Sequence, residues 1–464
     1  MTNRVFARVL SNASANVVAG ATAVAFSMSI SAIAARHLDH SDLARWSLVS
    51  SLGALAGVLA LGMSTMVTRV AAELAAGSAS SESDHQALSQ VVMAARQLAF
   101  RICRAGGITA LTLSMFLPLV FDSLALDQPV EFALAAWVQF MGALWLAASQ
   151  PEQGALVAKQ RNWTITSATA GARLCALAAA YAALTTLAEH RLLALSVAQA
   201  LGMWFGWALL RLSAVPYVAS SRPPSAALAA TARRLRSLTL AMASWAVGMA
   251  VVQYGVTPYV SYLSPGMTVS AFAAITLGAT LSGVFSAMLG GFLAPLTKVV
   301  AGGDVAKLGP MMRTVTTWCF VVVSVVYGTC LLGLERLLSI WLAGSIPSGS
   351  RALILWLLLQ QYVRSVSAPA AVLLAISGSP RLVAIAPLFE AGGSLLVAVP
   401  IGAVYGVQAF AASLFFVASA AALLTWWLAL NKPTFRLGGT RLRGLGVQLA
   451  ATILSLLFVT LQQP

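Results

Sequence analysis

Apolar residues gather in thirteen runs along the chain, at about 9–35, 46–68, 102–120, 130–150, 163–187, 192–210, 238–261, 267–293, 314–333, 352–377, 382–404, 407–430 and 445–461. Most are near the roughly 20 residues that a helix needs to cross the hydrocarbon core of a bilayer. The last is the shortest. No segment alternates apolar and polar residues as the strands of a membrane barrel do. The pattern therefore predicts twelve spanning helices and a thirteenth at 445–461. The first run follows Arg4 and Arg8 and continues for 27 residues from Val9 to Ala35. That exceeds the roughly 7–15-residue apolar stretch of a signal peptide, so it reads as an uncleaved span with its N-terminus inside.

The polar positions between the runs support this map. With the N-terminus inside and the spans alternating, 21 Lys and Arg fall on the inner side and 5 on the outer side. Cytoplasmic loops carry such an excess of cations. The longest inner connections are about 70–101 and 211–237, and the second contains Arg222-Pro223-Pro224-Ser225 at mid-chain, after six spans. This predicts an all-α polytopic membrane protein of two six-helix lobes. Residues 1–212 form the first lobe, 213–237 an inner linker and 238–430 the second lobe, with a basic loop and the thirteenth span in 431–464. A shift of 229 residues lays Leu43–Ala71 on Phe272–Val300, with Thr68-Arg69-Val70 on Thr297-Lys298-Val299. Both segments are the second span of a six-span unit, so the lobes are expected to be parallel repeats about an axis along the membrane normal.

Composition narrows the class. Of 464 residues 59% are hydrophobic and 9% charged, with a mean hydropathy of +0.86. Soluble domains are about 25% charged. A large soluble enzyme, a disordered chain and a secreted disulfide scaffold are excluded. The net charge of +15 reads as membrane orientation, with no call for nucleic acid. Cys103, Cys175, Cys319 and Cys330 lie in or beside apolar runs without a CxxC pair, so neither a disulfide nor a metal is expected. No GxxxxGK[ST] and no HExxH occurs. His37, His40, His85 and His190 all fall in loops. No catalytic set, metal or cofactor is expected, and the chain is not read as an enzyme.

Three charged residues stand deep inside spans: Arg173, Arg364 and Glu390. Each lies roughly 14–20 Å along its helix from the polar end at 1.5 Å per residue. Facing lipid, each costs about 2.5–3.5 kcal/mol. They must face water, cargo or one another. One reading lines a central cavity with Arg173 and Arg364 for an anionic substrate and gives Glu390 an ion-coupling role. The other pairs Arg364 with Glu390, on consecutive spans, as a structural ion pair. Arg36 and Arg69 end the first two spans, as interface anchors or as entrance contacts for a charged headgroup. Trp46, Trp137, Trp245, Tyr254 and Tyr259 suit either an interfacial belt or stacking on sugar rings. Pro118, Pro258, Pro369, Pro387 and Pro400 interrupt spans and predict kinks.

Several segments resemble the Wzx-like polysaccharide and O-antigen flippases of the multidrug/oligosaccharidyl-lipid/polysaccharide exporter superfamily. Ile33-Ala34-Ala35-Arg36-His37-Leu38, Trp46-Ser47-Leu48, Gly62 and Thr68-Arg69-Val70-Ala71-Ala72-Glu73 are similar to that family's first two spans. Ile376-Ser377-Gly378-Ser379-Pro380-Arg381, Phe389-Glu390-Ala391 and Tyr405-Gly406 resemble its eleventh-span region, and Gln153-Gly154 is a fainter match. The resemblance implies two six-helix lobes around a cationic cavity in the bacterial inner membrane. It implies alternating access that carries an undecaprenyl-pyrophosphate-linked oligosaccharide for surface polysaccharide, driven by an ion gradient (H+ or Na+). The surrounding lipids, a polysaccharide polymerase and a chain-length regulator would be its partners. By position, Arg36, Arg69 and Glu390 match family-like motifs. A multidrug or cation antiporter and a lipid II-type flippase of the same superfamily are the alternatives. A membrane-embedded polymerase or ligase fits less well, because the outer loops are short.

Overall fold

The computed structural model describes residues 3–57, 63–76, 81–125, 127–187, 189–218, 225–301, 305–344, 346–347, 349–376 and 380–431. Among the described residues there are helices and no strands. In the first half these are α1 (Asn3–His37), α2 (His40–Gly57), α3 (Met63–Ala76), α4 (Ser81–Val120), α5 (Asp122–Ala125), α6 (Pro129–Ala147), α7 (Gln150–Ala158), α8 (Asn162–Thr186) and α9 (Arg191–Ala214). In the second half they are α10 (Ser225–Tyr254), α11 (Val256–Leu263), α12 (Thr268–Ala301), α13 (Val305–Leu332), α14 (Leu334–Trp341), α15 (Arg351–Ile376), α16 (Pro380–Gly393), α17 (Val399–Tyr405) and α18 (Val407–Leu430).

Nine helices among the described residues are long and apolar enough to cross a membrane. The expected spans at 46–68, 238–261 and 352–377 are helical where described but are not among the nine. The third owes this to polar side chains that the fold turns inward, including buried Gln360 and Gln361, whereas residues 58–62 of the first lie outside the described residues. The expected span at 445–461, and the segment from 432 onward, lie outside the described residues. Within the expected linker 213–237, residues 219–224 lie outside the described residues. The helix α9 reaches Ala214, and α10 begins at Ser225. Leu235, inside that stretch, is buried in a core made mostly of α3 and α4.

The helices form two lobes that repeat one packing scheme. In the first lobe α1 packs on α8, α2 on α6, and α6 on α9; in the second α10 packs on α16, α12 on α15, and α15 on α18. Each pair of one lobe is matched by a pair six spans later, as a pseudo-two-fold requires. Small residues allow the closest crossings. A Cβ on Gly202 of α9 meets Ala176 at 2.4 Å, and one on Gly248 of α10 meets the Pro387 backbone at 2.8 Å. Pro118, Pro369 and Pro387 sit inside helices, and a π-helical turn at Ser394–Ala398 precedes α17.

The two ends of the molecule differ. At the end carrying α5, α11 and α14, one continuous core runs through both lobes, from Ile30, Leu43 and Trp46 to Val260, Ala271 and Trp341. At the opposite end, that of α3 and α7, each lobe has its own cores. The lobes are thus joined at the α14 end. Among the described residues α10 is the link at the other, through Leu235 and a 2.7 Å hydrogen bond from Gln90 to Thr231.

Candidate functional site

A chamber of about 380 Å³ opens between the lobes, walled by α1, α2 and α9 on one side and α10 and α12 on the other. Its serine and threonine hydroxyls come as pairs on single helices. Ser27 and Ser31 lie on α1, Ser50 and Ser51 on α2, and Thr276 and Thr280 on α12. An i, i+4 spacing puts two side chains on one face of a helix. Ser31 and Ser51 return their hydroxyls to carbonyls one turn back, at 2.8 and 3.0 Å. The Ser50 Oγ is buried and has no partner.

At the α14 end, Trp46 meets Phe272 edge to face across the lobe interface, with ring centroids 5.1 Å apart. The Trp46 indole donates to Gln199 Oε1 at 3.2 Å, and Gln139 Nε2 donates to the same oxygen. Buried amides of this kind are held by their hydrogen bonds. Among the described residues lining the chamber none is charged. Tyr254 joins Trp46 in the wall. Tyr259 instead donates to the Val399 carbonyl and packs on Phe410. Trp137 is half-buried away from the wall, and the Trp245 side chain lies outside the described residues.

Arg36, Arg173, Arg364 and Glu390 are not among the described lining residues. Arg173 is half-buried behind α1, where Nη1 donates to Ala19 O and to Thr22 Oγ1, both at 3.1 Å. It is the deepest rung of a polar seam between α1 and α8. The other rungs are Trp163 to Ser11 (3.1 Å), Asn162 to Asn16 (3.2 Å) and Thr166 to Ala15 O (3.0 Å). Ala19 and Thr22 flank Gly20 and Ala23, which line the chamber, so Arg173 grips the back of the chamber wall. Arg36 sits at the α14 end, with Nη1 on Ala32 O at 2.8 Å and Nη2 on Ile340 O at 3.0 Å. Arg69 lies on α3, and its side chain is outside the described residues.

Arg364 and Glu390 are brought together inside the second lobe. Nε donates to Glu390 Oε1 at 2.8 Å and Nη2 lies equally close to that oxygen. The two side chains are 10% and 5% exposed. Arg364 Nη1, both polar atoms of Gln360 and the Gln361 Nε2 are buried without partners. The Gln361 side chain passes over Gly278, whose backbone oxygen accepts from Tyr327 at 3.2 Å. The interior of this lobe is therefore polar and richer in donors than in acceptors.

Further charges are buried that the loop assignment of the charge count hides. Arg45 bonds Asp42 at 2.9 Å and the Leu124 carbonyl. Glu152 takes Arg96 Nε at 2.7 Å on one oxygen, while its other oxygen is buried without a partner. Glu131 accepts the Leu193 N–H at 3.1 Å and lies 2.8 Å from His190 Nδ1. His190 is in the loop between α8 and α9, and its bond to the Glu131 carboxylate, with that charge, raises its pKa above the ordinary value. Among the described residues no group of three His, Cys, Asp or Glu is placed to hold a metal ion.

No protein-family model and no curated protein sequence matches the chain. Solved structures do. A multidrug resistance MATE family transporter of the MOP superfamily, in its inward-facing conformation, superposes with a TM-score of 0.62 at 15% identity, over 88% of this chain and 93% of the other. An outward-facing conformation of such a transporter gives 0.64 at 15% identity, over 91% and 94%. A MOP superfamily transporter from Pyrococcus furiosus, described by the reverse polarity of its binding pocket, gives 0.67 at 15% identity, over 91% and 94%. At these identities the likeness shows the fold, and it extends over nearly the whole chain.

Proposed function

We propose that the chain is a membrane transporter that flips a lipid-linked oligosaccharide, an undecaprenyl-pyrophosphate-linked repeat unit, across the bacterial inner membrane by alternating access. The observation that carries this reading is the chamber wall, built of paired hydroxyls, one amide and aromatic rings with no charge among the described lining residues. Sugars offer hydroxyls in both hydrogen-bonding senses and apolar ring faces. A pocket for organic cations is better served by a carboxylate. The MATE-like fold supports transport as the activity. The excess of cations at the α3 end supports reading that end, and the N-terminus with it, as cytoplasmic.

In this reading the sugars occupy the chamber and the polyprenyl tail stays in lipid. The pyrophosphate is the anion that Arg36, Arg69, Arg173 and Arg364 serve along the path. A guanidinium offers phosphate a planar fork of donors and stays charged when buried. Arg364 is held by Glu390, so cargo phosphate and Glu390 compete for it. A proton or Na+ arriving at Glu390 weakens that hold, which ties ion entry to cargo binding. The product feeds a polymerase and a chain-length regulator.

The test is reconstitution. Proteoliposomes should move a fluorescent lipid-linked oligosaccharide faster than empty vesicles under an imposed H+ or Na+ gradient. In cells, Arg173→Ala or Arg364→Ala should abolish surface polysaccharide while the protein remains in the membrane. Efflux of a cationic dye without glycolipid movement would establish the antiporter alternative instead.

A further inference from the structure

The contacts between α1 and α14 form a reciprocal pair. Arg36, on α1, sends Nη2 to Ile340 O in the last turn of α14 at 3.0 Å. Trp341, the last residue of α14, sends its indole N–H back to Met28 O on α1 at 2.8 Å. The two bonds join different lobes and lie two helical turns apart along α1. Each uses an acceptor suited to it. A carbonyl in the final turn of a helix lacks its i+4 donor, and a cation there also meets the negative end of the helix dipole. Met28 lies mid-helix, where a carbonyl retains a second lone pair after its helical bond.

The shape of α14 fits this use. Leu334, Leu338 and Trp341 form one buried stripe, while Ile340 is 65% exposed on the other side. Beyond it the backbone turns through Ala343 (φ 50°) and Gly344 (φ 79°), a reversal that stops the helix at the α1 contact. The stripe enters the core shared by both lobes. The Trp46–Phe272 pair, which lines the chamber, belongs to the same core.

We infer that α14 is a strap that latches the outer end of the chamber shut, and that Arg36 and Trp341 are its two hydrogen-bonding clasps. Opening the chamber outward requires the lobes to part at this end, so both bonds must break in each cycle. Both are side chain to backbone; the Arg36 bond is exposed, where water replaces it cheaply, and the Trp341 bond is part-buried at the edge of the shared core. The apolar stripe supplies the seal, and the two bonds set its register. This role holds whatever the cargo.

The experiment reads access to the chamber from outside. A Ser50→Cys reporter is placed in a protein whose four native cysteines are replaced by Ala, and spheroplasts are treated with a membrane-impermeant thiol reagent. With the latch intact, labelling is slow. In Trp341→Phe/Arg36→Gln the rate rises about ten-fold, the factor that corresponds to 1.4 kcal/mol and the scale of losing two such bonds. Trp341→Phe keeps an aromatic ring in the core, and elution as a single folded species is verified. Arg36→Lys, which keeps a cationic donor for Ile340 O, restores slow labelling. An Arg36→Cys/Ile340→Cys pair bridged by a short bis-maleimide keeps the reporter protected even in Trp341→Phe. Unchanged labelling in the folded double variant, rapid outside labelling of the intact protein, or a bridge that gives no protection overturns the inference.

Discussion

The Arg364–Glu390 pair separates what stability asks of a residue from what transport asks. Removing one partner of a buried pair strands the other, at a cost of about 3–5 kcal/mol, whereas replacing both with apolar groups of similar volume is often neutral. Glu390→Ala should therefore lower the melting temperature of the purified protein sharply. Arg364→Met/Glu390→Leu should recover most of that loss and remain inactive in the flipping assay, if the pair serves the cargo and the coupling ion. Activity in the double variant would reduce the pair to a structural contact. Arg173 behaves differently, because its partners are a carbonyl and a hydroxyl of α1. Arg173→Lys keeps a cation but loses the planar fork, so it should fold normally and transport slowly. Both sites were legible in the sequence for one reason, that a charge in an apolar run must be explained. The partner of Arg364 was legible too, one span away. Arg45, Glu131 and Glu152 were not, because a charge near a helix end reads as solvated until the packing shows what covers it.

At the scale of elements, the turn between α8 and α9 rests on His190, in left-handed backbone (φ 55°) as the cap of α9 and bonded to the carboxylate of Glu131 on α6. Its pKa in the folded protein is raised from the ordinary 6.5. The stabilisation is thus fully present below that ordinary value and is lost as the pH rises through the raised one. As the pH rises above 6.5 the melting temperature should fall more steeply in the wild type than in His190→Gln, and equal slopes would show that the bond contributes nothing. The α8–α9 crossing gives a second expectation. Gly202 touches Ala176, so Gly202→Val overpacks the crossing and should cost about 1–3 kcal/mol, read as a lower melting temperature and more aggregate on elution. Helix existence followed directly from the apolar runs, and α8 matches its predicted run to within a residue. The chamber wall was harder to see. Its signal was the i, i+4 hydroxyls of Ser27/Ser31 and Thr276/Thr280 in otherwise apolar runs, which cost little in lipid and so did not stand out as the charges did. The inner connection was misleading in another way. Its basic, Ala-rich second half reads as linker, yet it folds as the start of α10 because α3 and α4 supply a face for Leu235.

At the scale of the molecule, α10 is shared between the lobes. Gly248 lies against α16 in the second lobe, while Leu235 and Thr231 are held by the first. The lobes have one core at the α14 end and separate cores at the α3 end, so the α10 contact ties the lobes together at the α3 end. This distinguishes two buried leucines of the same core. Leu235 belongs to α10 and is 1% exposed; Leu88 belongs to α4 and is 3% exposed. Truncating either to Ala should cost about 2–5 kcal/mol of packing. Leu235→Ala removes a side chain that α10 itself brings to this core, whereas Leu88→Ala truncates one of α4. Spin labels at Gln97 on α4 and Thr314 on α13 should therefore report a longer and broader distance distribution in Leu235→Ala. In Leu88→Ala the distribution should keep the wild-type distance despite a similar fall in melting temperature. A matching change in both variants would mean that the inner ends are held by the folding of the first lobe as a whole. A change in Leu235→Ala alone would place the inner restraint on α10. The cycle would then run between two unlike closures, a strap of short helix outside and the root of a long spanning helix inside.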